Sequence, residues 1–134
     1  MTASQPNILI LMADQLAAPT LSIHDANSPV QTPNIQALAD RGVVFDSAYC
    51  NSPLCAPSRF VFMTGRLPSK IGAYDNAAEL RSDVPTFAHY LREIGYQTAL
   101  SGKMHFCGPD QLHGFEQRFT TDIYPADYGW AVNW

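Results

Sequence analysis

The chain has 134 residues, enough for one domain with a sizeable core. Hydrophobic residues make up 46% and charged residues 15%, which excludes a disordered composition. Eight basic against twelve acidic side chains give a formal charge of −4, which argues against a nucleic-acid-binding face but leaves room for a small anionic substrate.

Three cysteines, Cys50, Cys55 and Cys107, cannot all pair within the chain, and no CxxC spacing occurs. A disulfide framework is not expected, and a reducing compartment is favoured. Residues 1–6 carry no positive stretch, and residues 8–13 are too short for a signal core or a membrane span. The expectation is a cytoplasmic protein with no membrane anchor and no nucleic-acid partner.

Residues 7–13 form a continuous apolar run with no alternation. Placed after Pro6 and before polar residues, the run reads as a strand buried on both faces, the parallel-sheet type. It ends at Asp14 and Gln15. Ligands of open α/β sheets sit outside the carboxyl ends of strands, so Asp14 is a candidate ligand. A carboxylate that caps a following turn fits the position equally well.

Residues 16–31 show no period and contain Pro19 and Pro29, so they read as a loop. Residues 32–42 carry the marks of a helix: Thr32 as N-cap, Pro33 at the first position, Ile35, Leu38 and Ala39 on one face, and Gly42 at the end. Val43, Val44 and Phe45 begin a short extended segment that leads to the next motif.

Residues 52–66 organise the chain. Cys55 stands two residues before Pro57, Arg59 follows one turn later, and Phe60, Val61, Phe62 and Met63 complete an apolar run. Proline suits the first turn of a helix and is costly inside one. A helix is therefore expected to begin near Ala56 or Pro57, with Cys55 at its N-terminal mouth. Free backbone donors and the positive end of the helix dipole make that mouth a site for an anion. Arg59, four residues after Cys55, can return its guanidinium to the same mouth. A helix that is apolar nearly all round is expected to be buried, and Gly65 stops it.

Residues 66–83 read as irregular, centred on Tyr74, Asp75 and Asn76. Asp83, Val84 and Pro85 open another helix, in which Phe87, Tyr90, Leu91 and Ile94 fall on one face and Gly95 closes the run. Residues 96–101 read as the next strand, followed by Gly102, Lys103, Met104 and His105. No element is predicted for residues 106–134, which Gly108, Pro109, Gly114, Pro125 and Gly129 interrupt. So long a structureless stretch fits a substrate loop on a larger body, or a chain that stops early.

Three element ends thus present Asp14, Cys55 with Arg59, and Lys103 with His105. In an α/β fold with a mainly parallel sheet flanked by helices, such ends share one edge and form an active site. A helix-mouth cysteine beside an arginine is expected to have a lowered pKa. Each residue also has a plainer role: Cys55 as a small buried hydrophobe, Lys103 as a solvated loop charge, His105 as a hydrogen-bonded structural histidine.

At these residues the chain resembles a known family. Cys55-Ala56-Pro57-Ser58-Arg59 with Thr64-Gly65 is similar to the type I sulfatase signature, C-x-P-S-R followed by T-G. Gly102-Lys103-Met104-His105 matches the family's second signature, and the first run ending in Asp14 matches its first metal-binding segment. The resemblance implies the N-terminal part of an alkaline-phosphatase-like fold, with residues 1–134 as the N-terminal portion of a sulfatase catalytic domain. It implies that a formylglycine-generating enzyme converts Cys55 to formylglycine. The hydrated aldehyde would attack sulfur and release the alcohol, and its second hydroxyl would then expel sulfate. A divalent ion, Ca²⁺ in most of the family, would be held by Asp14, Gln15 and the residue that replaces Cys55. Arg59 would hold the hydrate, Lys103 would neutralise sulfate charge, and His105 would serve as acid or base.

Gln15 stands where many sulfatases carry a second aspartate, and it brings a carbonyl oxygen of lower charge. That pattern resembles the choline-sulfatase and phosphonate-monoester-hydrolase branch. Tyr74-Asp75-Asn76-Ala77-Ala78-Glu79, residues 108–116 and residues 120–130 look like choline sulfatases in particular. This implies choline-O-sulfate as substrate, Asn76 near the sulfate ester and Trp130 against the trimethylammonium group, which needs an aromatic face. A turn residue and a packing aromatic are the plainer roles of these two. Two other functions stay open: a phosphonate or phosphate ester hydrolase of the same superfamily, and an inactive fragment that only binds or folds with a partner. A homo-oligomer is compatible with each.

Overall fold

Prolines and glycines punctuate the chain and set where most of its helices begin and end. The structure, a computed structural model, describes residues 5–120 and residue 122. The chain divides into two compact units, Met1–Ala48 and Tyr49–Trp134. No helix among the described residues is long and apolar enough to cross a membrane.

In the first unit, a single 3-10 turn at Ala18–Thr20 precedes helix α1, Pro33–Ala39. Pro33 occupies the first turn, as the sequence predicts, because its fixed φ suits that position and its missing N–H would have no helical partner. Thr32 stands at the N-cap but makes no capping bond, and its Oγ1 is buried without a hydrogen-bond partner among the described residues.

The expected strand over residues 7–13 is not among the described elements. Its exposure alternates, with Leu9 and Leu11 at 82% and 86% against 49% and 45% for Ile10 and Met12. That period of two belongs to extended backbone. A parallel strand exists through ladder bonds to its neighbours, and the described sheet does not include this run. Its apolar side chains therefore remain exposed, as do Val43 and Phe45.

The second unit holds helices α2 (Cys55–Thr64), α3 (Pro68–Ile71) and α4 (Phe87–Glu93), then strands β1 (Ala99–Leu100) and β2 (Gln117–Arg118). Helix α2 begins at Cys55 itself, so Pro57 is its third residue, still within the first turn where it breaks no helical bond. Gly65 ends it in the left-handed conformation, φ +66°. Ala56, Phe60 and Met63 enter the core, and Phe60 stacks on Phe106 with ring centroids 6.3 Å apart. Full burial of such a side chain stabilises the fold by about 2–3 kcal/mol. The helix is not buried all round, however. Phe62 remains exposed on its outer side, where it meets Phe87 edge-on at 5.5 Å.

Helix α3 lies inside the stretch expected to be irregular. Its signals stand in the sequence, Pro68 at the first position and Gly72 at the C-cap. Four residues are too few to show a helical period. Helix α4 opens three residues later than Asp83, after Thr86. The Thr86 N–H donates to His89 Nδ1 at 3.1 Å, the return half of a capping box. Its hydroxyl donates to the His113 carbonyl at 2.6 Å. The buried side of α4 is Ala88 with half-buried Phe87, whose ring meets Phe115 edge-on at 6.1 Å. Tyr90 and Ile94, expected on that side, face solvent because α4 leans on the core through the neighbouring positions.

Strand β1 falls within the predicted 96–101. It pairs in parallel with β2, in the register Ala99 with Gln117 and Leu100 with Arg118. This sheet sends the chain after Leu100 towards the mouth of α2.

Candidate active site

Leu54 is extended at φ −84° and ψ 147°, and its N–H donates to Ser52 Oγ at 3.3 Å. That turn delivers Cys55, half-buried, into the first turn of α2. The donors expected at this mouth are fewer than at an ordinary helix end. Pro57 has no N–H, the Ser58 N–H donates to the Leu54 carbonyl, and the Ala56 N–H donates to Asn76 Oδ1 at 3.0 Å. A full positive charge comes from elsewhere: Lys103 Nζ lies 3.5 Å from Cys55 Sγ.

Arg59 is buried on the inner side of α2. Its Nη1 donates to the Lys103 carbonyl and lies 3.8 Å from Met104 Sδ. The guanidinium therefore ties helix α2 to the main chain of the loop that carries Lys103.

Two residues further on, His105 is buried in the left-handed conformation, φ +62°. Its Nε2 lies 3.0 Å from the Asn76 carbonyl. A carbonyl can only accept, so Nε2 carries the proton, and in the neutral ring Nδ1 holds the lone pair. Burial pushes the His105 pKa below the ordinary 6.5. The bond to Asn76 opposes that shift, and the charge of Lys103 adds to it. The ring is accordingly neutral at pH 7.

Asn76 joins both halves of this arrangement. Its side chain holds the Ala56 amide and its carbonyl holds His105. Asp75 Oδ1 accepts from the Ala77 N–H at 2.9 Å, so the expected turn role and the expected place beside the site occur in one residue. Cys55, Arg59, Asn76, Lys103 and His105 are thus brought together by direct contacts.

Two further residues belong to this arrangement that sequence reasoning did not single out. Asp122 Oδ2 accepts from the Met104 and Phe106 N–H groups, each at 3.0 Å. Arg118 Nη2 donates to the same oxygen at 2.9 Å. The two amides flanking His105 signal that an acceptor is needed, but nothing in the sequence says which residue supplies it.

Asp14 and Gln15 lie in the first unit, at the turn that follows the extended run, with Gln15 at φ +56°. Both offer hard oxygens, the donor type that Ca²⁺ takes, though that ion needs about six to eight of them. Among the described residues no group of three or more His, Cys, Asp or Glu side chains is placed to hold a metal. Trp130 lies outside the described residues.

This arrangement has counterparts in known proteins. A sulfatase family model matches residues 6–129. The choline-sulfatase of Rhizobium meliloti (strain 1021) is 58% identical over 134 residues, which is all of this chain and 26% of that protein. Human steryl-sulfatase is 38% identical over 134 residues, covering 84% of this chain and 23% of its own length. Among solved structures, BT4656 in complex with its substrate D-glucosamine-2-N,6-O-disulfate matches with a TM-score of 0.73 and 35% identity. That match covers 86% of this chain and 23% of the other. The chain therefore spans about a quarter of the length of these relatives. Sulfatases act on sulfate esters and generally use formylglycine and a divalent metal. The fold is accordingly the N-terminal part of the alkaline-phosphatase-like sulfatase architecture, an α/β arrangement around parallel strands. With a sulfatase family model matching residues 6–129, and with Cys55 beside Lys103 and His105 linked to the start of α2 through Asn76, the chain belongs to the sulfatase family.

Proposed function

We propose that this chain is the nucleophile-bearing, N-terminal portion of a cytoplasmic hydrolase that cleaves choline-O-sulfate to choline and sulfate. The observation that carries the reading is the Lys103 ammonium 3.5 Å from Cys55 Sγ, at a helix mouth whose nearest amide is already held by Asn76. A fixed cation beside residue 55 suits an anionic substrate and an oxygen nucleophile. The 58% identity to a protein named choline-sulfatase supports the choice of ester.

Formylglycine made from Cys55 by a formylglycine-generating enzyme supplies, as its hydrate, an oxygen nucleophile where the thiol now stands. Lys103 Nζ neutralises the sulfate oxygens and the negative charge that passes to the leaving alcohol oxygen. Arg59 holds the main chain of Lys103 and so fixes where that cation sits. His105, neutral and with Nε2 committed to Asn76, exchanges a proton through Nδ1. Asn76 accepts through Oδ1, which leaves Nδ2 as the donor it offers to the ester. Asp14 and Gln15 are assigned to the divalent metal, Ca²⁺ on the family pattern, which when bound supplies a Lewis acid for a sulfate oxygen. Trp130 is assigned to the trimethylammonium group.

Steady-state rates on choline-O-sulfate and on an aryl phosphonate test this reading. The protein is expected to prefer the sulfate ester. Trp130→Ala is expected to raise KM for choline-O-sulfate about tenfold, the worth of a cation–π contact of about 1.4 kcal/mol, and to leave the phosphonate rate unchanged. Preference for the phosphonate, with both rates indifferent to Trp130→Ala, would instead identify a phosphonate ester hydrolase.

A further inference from the structure

The parallel pairing of β1 and β2 does not stop where the strands end. The Phe119 N–H donates to the Leu100 carbonyl at 2.9 Å. Beyond that point, side chains of the second strand's continuation take over as acceptors. The Gly102 N–H donates to Thr120 Oγ1 at 2.6 Å, and the Met104 and Phe106 N–H groups both donate to Asp122 Oδ2 at 3.0 Å. Residues 100, 102, 104 and 106 are thus held at every second position, the period of a strand. The last of the acceptors, Asp122, secures the two amides on either side of His105.

The Asp122 carboxylate is fully buried and paired with Arg118 Nη2 at 2.9 Å. The guanidinium is itself bonded throughout: Nη1 to the Gln111 carbonyl and Oε1 at 2.8 and 2.9 Å, and Nε to the Thr120 carbonyl at 2.9 Å. It also lies over the Phe106 ring, 5.5 Å from the centroid. A buried carboxylate so paired and so bonded fixes its acceptor oxygen in one place.

We propose that Asp122 is a positioning residue for Lys103 and His105, a role that rests on the reading of this site as one for sulfate esters. With Arg59 on the Lys103 carbonyl and Asp122 on the amides of residues 104 and 106, the loop is anchored at three of four consecutive residues. The left-handed backbone of His105 is held between the two Asp122 bonds. This clamp keeps Nζ of Lys103 at residue 55 and the ring of His105 at Asn76.

The test compares the protein with its Asp122→Asn variant, which keeps one acceptor oxygen but loses the charge. On choline-O-sulfate, kcat is expected to fall about 10–100-fold, the cost of displacing catalytic groups by about an ångström. KM is expected to stay within about threefold, because ground-state binding is spared. Arg118→Lys keeps a cation beside Asp122 but loses the guanidinium's bonds to Gln111 and Thr120, and is expected to retain more of the rate than Asp122→Asn. Hydrogen exchange on the unsubstituted protein provides an independent arm: the Met104 and Phe106 amides are expected among the slowly exchanging ones. Fast exchange at these two amides overturns the proposal even if Asp122→Asn does not fold. An unchanged kcat in a folded Asp122→Asn variant overturns it as well. So does a fall in kcat and melting temperature together with a large rise in KM, the mark of a purely structural role. No turnover of any sulfate ester by the unsubstituted protein overturns the site reading itself, a result distinct from turnover that is indifferent to Asp122.

Discussion

Lys103→Ala is expected to lower kcat on choline-O-sulfate by about 10²–10³-fold, the usual cost of removing one preorganised donor from a developing negative charge. The ammonium lies 3.5 Å from Cys55 Sγ, and its main chain is held by the buried guanidinium of Arg59. At the helix mouth Pro57 lacks an N–H and the Ala56 amide is engaged by Asn76, so backbone donors there are few. The loss should therefore fall on the chemical step. Lys103→Arg keeps the charge but spreads it over a planar fork, and is expected to recover part of the rate. A Lys103→Ala variant with lowered affinity but unchanged kcat would place the lysine in ground-state binding alone.

The largest effect on stability is expected from Gly114→Ala, about 3 kcal/mol of destabilisation read from urea or thermal unfolding. Gly114 sits at φ +98°, which L side chains rarely adopt. A Cβ there would stand 2.5 Å from His89 Nδ1 and 2.8 Å from the His89 backbone nitrogen. Neither atom yields easily. Nδ1 accepts the Thr86 N–H, and Thr86 in turn donates its hydroxyl to the His113 carbonyl. The Gly114 carbonyl also accepts from Thr98 Oγ1 at 3.2 Å, next to the start of β1. The substitution therefore forces apart the junction of α4 with the approach to the parallel pair. Gly95→Ala is the matched control. Its φ of +93° is equally left-handed, but nothing stands within 4 Å of the added carbon. It should cost about 1–2 kcal/mol, the conformational part alone. Equal losses for the two variants would show that the contact with His89 carries none of the effect.

What could be read from the sequence follows the range of each signal. Helix α2 and its cysteine were legible because proline, glycine and the apolar run all act within ten residues. Helix α3 carried the same Pro and Gly punctuation, at Pro68 and Gly72, but was too short to show a period. The pairing of β1 with β2 was not legible, since each contributes two residues and the partners lie 18 positions apart. Asp122 was illegible for the same reason, because it works on amides 16 and 18 residues earlier. The run 7–13 shows the opposite limit. Its composition speaks for a buried strand, yet burial depends on neighbours that local pattern cannot supply. At Asn76 the expected turn is present, and it places the side-chain oxygen on the Ala56 amide at the mouth of α2.

The central claim is that residue 55 acts as an oxygen nucleophile and not as a thiol. The mass of the peptide that contains Cys55, taken from protein that turns over choline-O-sulfate, tests it most directly. The expected peptide has lost one sulfur and two hydrogens and gained one oxygen, the change from a thiol-bearing side chain to an aldehyde. An unmodified cysteine at position 55 in fully active protein would contradict the claim and return the chemistry of the site to the thiol.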